Sequence, residues 1–155
     1  MVFYIRAKGD YPMAIRTAEA VWTGTLKEGS GSFKGGSGAL SGGYTFKSRF
    51  EDDQTLTNPE EMIGAAHAGC YAMFLSAQLT NAGFPPNSIT AKAEVDFGRD
   101  DKGPVINSIM LTVDASVPGV SQEQFNELAE KSKAGCPISR ALAAVPLTLN
   151  ATLHS

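Results

Sequence analysis

Residues 57–83 constrain the fold of this chain more than any other stretch. The segment opens Thr57-Asn58-Pro59-Glu60-Glu61. Asn58 suits the N-cap of a helix, Pro59 the first helical position, and Glu61 the capping-box position three residues after the cap. It continues MIGAAHAGCYAMFLSAQLTNAG, and Gly83 with Pro85-Pro86 stops it. The pattern predicts one long helix. Its middle, Gly64-Ala65-Ala66-His67-Ala68-Gly69-Cys70, is nearly free of bulk. Small residues on several faces let other backbone come close, so the helix is expected to be central and packed on more than one side.

On either side of this helix the apolar period is two. Ile89, Ala91, Ala93, Val95 and Phe97 alternate with polar residues. Val105, Ile109, Leu111, Val113, Ala115 and Val117 form a second apolar face, broken only by Asn107. The turn GRDDKG (98–103) makes these two an antiparallel hairpin. Upstream, 15–26 alternates imperfectly and reads as a strand. Tyr44–Phe50 reads as another, with Tyr44, Phe46, Ser48 and Phe50 on one face and Lys47 and Arg49 on the other. The glycine-rich Gly29–Gly43 between them has neither a GK[ST] ending nor a strand–GxGxxG–helix setting. It reads as turns around a short strand. Downstream, Ser121 and Gln124 make a capping box, Val120 and Phe125 a hydrophobic staple, and Gly135 a helix stop. Cys136-Pro137 starts a short helix, Ile138–Ala144, closed by Pro146, and Leu147, Leu149, Ala151 and Leu153 alternate as a final strand. Strands, long helix, hairpin, helices and strand make an α+β fold, not a repeated βαβ unit. At 155 residues a single domain, 1–155, is expected, with 1–13 as an arm or first strand.

Charge and cysteine usage exclude several classes of function. The net charge is −3, and the 13 Lys and Arg form no basic run or aromatic-interleaved patch, so no nucleic-acid partner is expected. No apolar run approaches the ~20 residues that span a bilayer, so no membrane partner is expected. Two cysteines, Cys70 and Cys136, are too few for a secreted disulfide framework and are not a CxxC pair. A cytoplasmic setting follows, and the count alone favours inert, buried thiols.

Local spacing leaves open which thiol is reactive. Cys70 lies mid-helix among small residues, where burial raises a thiol pKa. A cation would reverse that, and Arg49 is the one chain proximity suggests; Arg140 is a weaker rival, and Arg16 lies far upstream. Cys136 precedes Pro137 and sits at or near a helix N-cap, where unpaired amides favour an anion. His67 and Cys70 make an HxxC spacing, but two ligands alone do not make a zinc site, and His67 reads as a hydrogen-bonded core residue. His154 reads as solvated. Apolar residues near Cys70 (Met62, Ile63, Tyr71, Met73, Phe74) read as core or as the lining of a pocket, core being the better reading for any single one.

The segments TNPEEMIGAAHAGCYAMFLS (57–76) and KAGCPIS (133–139) resemble the two cysteine motifs of the OsmC/Ohr family of thiol-dependent peroxidases. The histidine of GAAHAGC and the CPIS form resemble its OsmC branch. The resemblance implies antiparallel and mixed sheets around a long central helix, in an intertwined homodimer. It gives Cys70 the place of the peroxidatic cysteine and Cys136 that of the resolving one. Arg49 falls where the family carries the arginine that activates the thiolate, and Glu60 where it carries the carboxylate holding that arginine, which leaves Glu61 the capping role. On a continuous helix Glu60 and Cys70 are about 15 Å apart along the axis, too far for contact. The implied activity is reduction of organic hydroperoxides, and less efficiently hydrogen peroxide, through a Cys70 sulfenic acid and a Cys70–Cys136 disulfide, in oxidative or osmotic stress defence. No metal or flavin cofactor is implied. An external dithiol, possibly a lipoylated protein, resets the pair. The competing expectations are a non-catalytic ligand-binding or scaffold dimer with structural thiols, and a peroxide sensor.

Overall fold

The computed structural model describes residues 15–154, so the expected arm at 1–13 lies outside the described residues. The chain divides into two units, Met1–Asn58 and Pro59–Ser155. The first is built on an antiparallel meander of β1 (Ala18–Thr23), β2 (Ser30–Gly35) and β3 (Ser41–Thr45). β2 and β3 fall in and beside the glycine-rich segment, and close approach explains one of its glycines. Gly31 lies beneath two rings, where an added Cβ would fall 2.5 Å from Tyr44 and 2.8 Å from Trp22. The rings themselves sit 5.5 Å apart.

The expected strand Tyr44–Phe50 is wrong beyond Thr45. Phe46–Phe50 is instead a short helix, α1. Thr45 is its N-cap. The Ser48 amide donates to Thr45 Oγ1 at 3.2 Å, and the Thr45 amide donates to Ser48 Oγ at 2.9 Å, a capping box closed by serine instead of Glu or Gln. Phe46 and Phe50, four apart, stack at 4.8 Å on one helix face. Ser48 also donates to the Thr57 carbonyl at 2.8 Å, and Asn58 Nδ2 donates to the Ser48 carbonyl at 3.0 Å. Ser48→Ala removes the box and leaves the half-buried Thr45 amide without its acceptor, so a loss of ~1–2 kcal/mol is expected. Urea unfolding followed through Trp22, the sole tryptophan, reads it as an earlier midpoint.

The second unit contains α2 (Pro59–Asn81), β4 (Ser88–Asp100), β5 (Gly103–Ser116), α3 (Gln122–Gly135), α4 (Pro137–Ala141) and β6 (Leu147–His154). α2 begins at the expected proline and ends two residues before Gly83. It buries one stripe, Glu60, Gly64, His67, Tyr71, Leu75 and Leu79, with helical spacing. Within one chain the opposite face, Ala65, Ala66, Gly69 and Met73, is exposed, so the expected packing on several sides is met on one. Gly64 lets α2 lie close on β4, with the Ala93 carbonyl 3.4 Å from where a Cβ would sit.

β4 and β5 form the expected antiparallel hairpin, and Asn107 is the unpaired extra residue where the register shifts opposite Asp96/Phe97. β6 lies on the other edge of β5 and runs parallel to it, with α3 and α4 making the crossover. The Ser121 capping box is present as expected. The core gathers Tyr71, Leu75, Leu79, Leu111, Val113, Ala115, Val117, Phe125 and Cys136, with Val120 packed against it. α4 is shorter than expected, because Val145 bonds back to Leu142 in a turn before Pro146.

Candidate active site

The two cysteines, 66 residues apart in sequence, meet in the second unit. Cys70 Sγ and Cys136 Sγ lie 3.1 Å apart, both as free thiols. Cys70 projects from the middle of α2 and is half-buried, while Cys136 is 0 % exposed. Cys136 ends one helix and begins the next. Its amide donates to the Ser132 carbonyl at 2.9 Å, and its carbonyl accepts from the Arg140 amide at 3.0 Å. Pro137 has no N–H to satisfy, which makes the junction cheap. Gly135 lets the junction approach α2: a Cβ there would meet the Phe74 ring at 2.8 Å.

The two sulfurs differ in surroundings. Burial, then the hydrogen bond with Cys136, push the Cys70 thiol up, and the Ile138 amide offsets only part of this. Burial pushes Cys136 up too. The Ser139 amide, the Cys70 thiol, the Ser139 hydroxyl and the Ile138 amide together outweigh it and hold Cys136 below its ordinary value. When the pair carries a single proton it can sit on either sulfur, and the surroundings of Cys136 favour the charge there over Cys70. This agrees with the reading of Cys136 from its helix cap and of Cys70 as a mid-helix thiol.

His67 is a core residue, 0 % exposed, with Nε2 2.8 Å from Ser139 Oγ. Sequence reasoning read Ser139 only as part of CPIS. Its three-residue spacing from Cys136 across a helix start was the signal that it lies near the same sulfur. Glu60 is 7 % exposed, whereas Glu61 is exposed. α2 is continuous between Glu60 and Cys70, so the ~15 Å axial separation stands and they make no direct contact. Arg49 lies on α1, in the first unit, with its guanidinium carbon 5.2 Å from the Phe50 ring centre. There it joins Trp22, Leu26, Tyr44, Phe46 and Phe50 in lining an open groove of about 420 Å³. Of the apolar residues near Cys70, Tyr71 is core, Phe74 packs against the core, and Met73 is 77 % exposed. No helix among the described residues is long and apolar enough to cross a membrane.

A family model described as OsmC-like protein matches residues 51–150. The chain is 43 % identical to Peroxiredoxin OsmC of Escherichia coli over 141 residues, 90 % of this chain and 97 % of that protein. Its fold is similar to that of the organic hydroperoxide resistance protein OhrB of Bacillus subtilis (TM-score 0.67, 22 % identity, 88 % of this chain and 98 % of that one). It is also similar to an OsmC-like protein of unknown function from Vibrio cholerae (TM-score 0.72, 15 % identity, 90 % of this chain and 100 % of that one).

Proposed function

We propose, from the premise that this chain belongs to the OsmC family and is a peroxidase of the peroxiredoxin kind, that it reduces organic hydroperoxides with Cys70 and Cys136 as a two-thiol cycle. The observation that carries this reading is the 3.1 Å approach of the two sulfurs. The proton of Cys70 passes to Cys136 across that contact. The Cys70 thiolate attacks one peroxide oxygen and the O–O bond breaks. The departing alkoxide takes the proton from Cys136 and leaves as the alcohol. Cys70 is now a sulfenic acid facing a Cys136 thiolate. Attack of that thiolate forms the S–S bond as the S–O bond breaks, and the hydroxide released is protonated to water from solvent. An external dithiol returns both thiols by exchange.

Arg49 and Glu60 keep in this proposal the roles that the family resemblance implies, thiolate activation and support of the arginine. The burial of Glu60 supports a part beyond helix capping. The homodimer also belongs to the proposal, and the open small-residue face of α2 supports it. The setting proposed is the cytoplasm, in defence against oxidative or osmotic stress. Tert-butyl and cumene hydroperoxide consumption, followed with a dithiol and then with a monothiol reductant, tests the reading. Faster turnover of the organic peroxides than of hydrogen peroxide, sustained by the dithiol, is expected. Equal or slower turnover of the organic peroxides overturns the substrate assignment. Oxidised protein that stays two free thiols by mass overturns the cycle.

A further inference from the structure

The cycle leaves His67 and Ser139 without a part, yet both are buried and joined to the thiol pair. His67 is fully buried and Ser139 nearly so, with 2.8 Å between Nε2 and Oγ. The Ser139 hydroxyl and amide lie near the Cys136 sulfur, three residues along the start of α4, and favour its charged form. Among the described residues the imidazole Nδ1 has no hydrogen-bond partner.

That last observation bears on the directions of the bonds. A hydroxyl has one hydrogen, and if it serves the Cys136 sulfur it can only accept from His67. Nε2 then carries the proton and Nδ1 is a bare lone pair. An unpaired buried acceptor costs less than an imidazolium whose Nδ1–H would have no acceptor. The ring therefore stays neutral, consistent with burial pushing its pKa down.

We propose that His67 and Ser139 are positioning residues for Cys136: the imidazole Nε2–H holds the Ser139 hydroxyl so that its hydrogen points at the Cys136 sulfur and keeps that sulfur aimed at Cys70 as a nucleophile. This deepens the proposed two-thiol cycle and assigns a cause to the reactivity of its second thiol. The size of the benefit follows from thiol chemistry. For each unit by which a thiol pKa falls toward ambient pH, the thiolate population grows about tenfold and intrinsic nucleophilicity drops about threefold, a net gain of about threefold. Among the described residues, the other groups near this sulfur are the Ile138 amide, Cys70 on α2 and Tyr71, whose hydroxyl donates to the Ala129 carbonyl at 3.0 Å, with Glu130 of α3 beside Tyr71. None of them is a cation that would take over the role of the Ser139 hydroxyl.

The test reads Cys136 directly and needs no peroxide, so it stands or falls separately from the peroxidase reading. In a Cys70→Ser background, Cys136 is the sole thiol, and its alkylation by iodoacetamide is followed from pH 5 to pH 10. Adding Ser139→Ala is expected to move the profile to higher pH and to slow alkylation at pH 7 about threefold. His67→Leu moves it in the same direction, and His67→Gln, whose amide reaches the Nε2 position, restores it. A Ser139→Ala profile that superimposes on its parent overturns the proposal. So does a His67→Gln profile matching that of His67→Leu. Nitrogen-15 NMR of His67 in the unsubstituted protein gives a readout that no folding defect can obscure. A neutral ring protonated at Nε2 throughout pH 5–8 is expected, and a ring protonated at Nδ1, or one titrating near 6.5, overturns the proposal.

Discussion

Cys70→Ser is expected to lower hydroperoxide turnover by more than about a thousandfold, because a serine hydroxyl is not ionised at neutral pH and cannot replace a thiolate nucleophile. The fold should survive, since the two side chains are nearly isosteric and Cys70 is only half-buried. Cys136→Ser should behave differently. It should consume about one equivalent of peroxide per chain, trap the Cys70 sulfenic acid for labelling by dimedone, and turn over slowly with a dithiol. The contrast between the variants matters because the surroundings push the Cys70 thiol up and hold that of Cys136 down. Sulfenic acid formed in Cys70→Ser and absent from Cys136→Ser would reverse the assigned roles. Full activity in Cys70→Ser would remove the thiol cycle altogether.

Phe125→Ala carries the largest expected loss of stability, about 3–5 kcal/mol. Phe125 lies one turn inside α3, fully buried, in the same core cluster as Tyr71, Leu111 and Cys136. Truncation opens a void the size of a ring where α3 meets the sheet, and the Ser121 cap holds the helix start so that it cannot collapse inward. The same void sits under the helix that delivers Cys136, so faster alkylation of Cys136 should accompany the lowered urea midpoint. A loss below about 1 kcal/mol would mean the core closes over the gap.

The bounds of α2 were legible in the sequence because its start has its own chemistry: a proline at the first position and acids in the first turn. The Ser121 box and the β4–β5 hairpin were legible for similar reasons, and even the bulge left a trace as the polar Asn107 in an apolar face. α1 was not legible. Phe46, Ser48 and Phe50 alternate as a strand would, and the Thr45–Ser48 box lacks the acid or amide that marks such a start. The direction of β6 was equally hidden, since alternation says which face is buried and not which edge is paired. At the site, Cys70 and Cys136 were singled out by their motifs. Their contact depends on the α3–α4 junction reaching α2 past Gly135, a long-range event with no local signature. The Ser139 bond to His67 was invisible for the same reason: its partners are on elements that only the fold brings together.

Parallel pairing of β5 with β6 sets a schedule for the molecule during its synthesis. The β4–β5 hairpin closes through local contacts and can form early. β5 then keeps an unpaired edge until α3 and α4 have been made and Leu147–His154 has left the ribosome. Leu147, Leu149, Ala151 and Leu153 pack on the cluster that includes Cys136. Until those eight strand residues dock, the cluster that holds Cys136 lacks the side chains that β6 packs against it. The packing around the second thiol is thus expected to be completed late, by the strand that closes the open edge of β5.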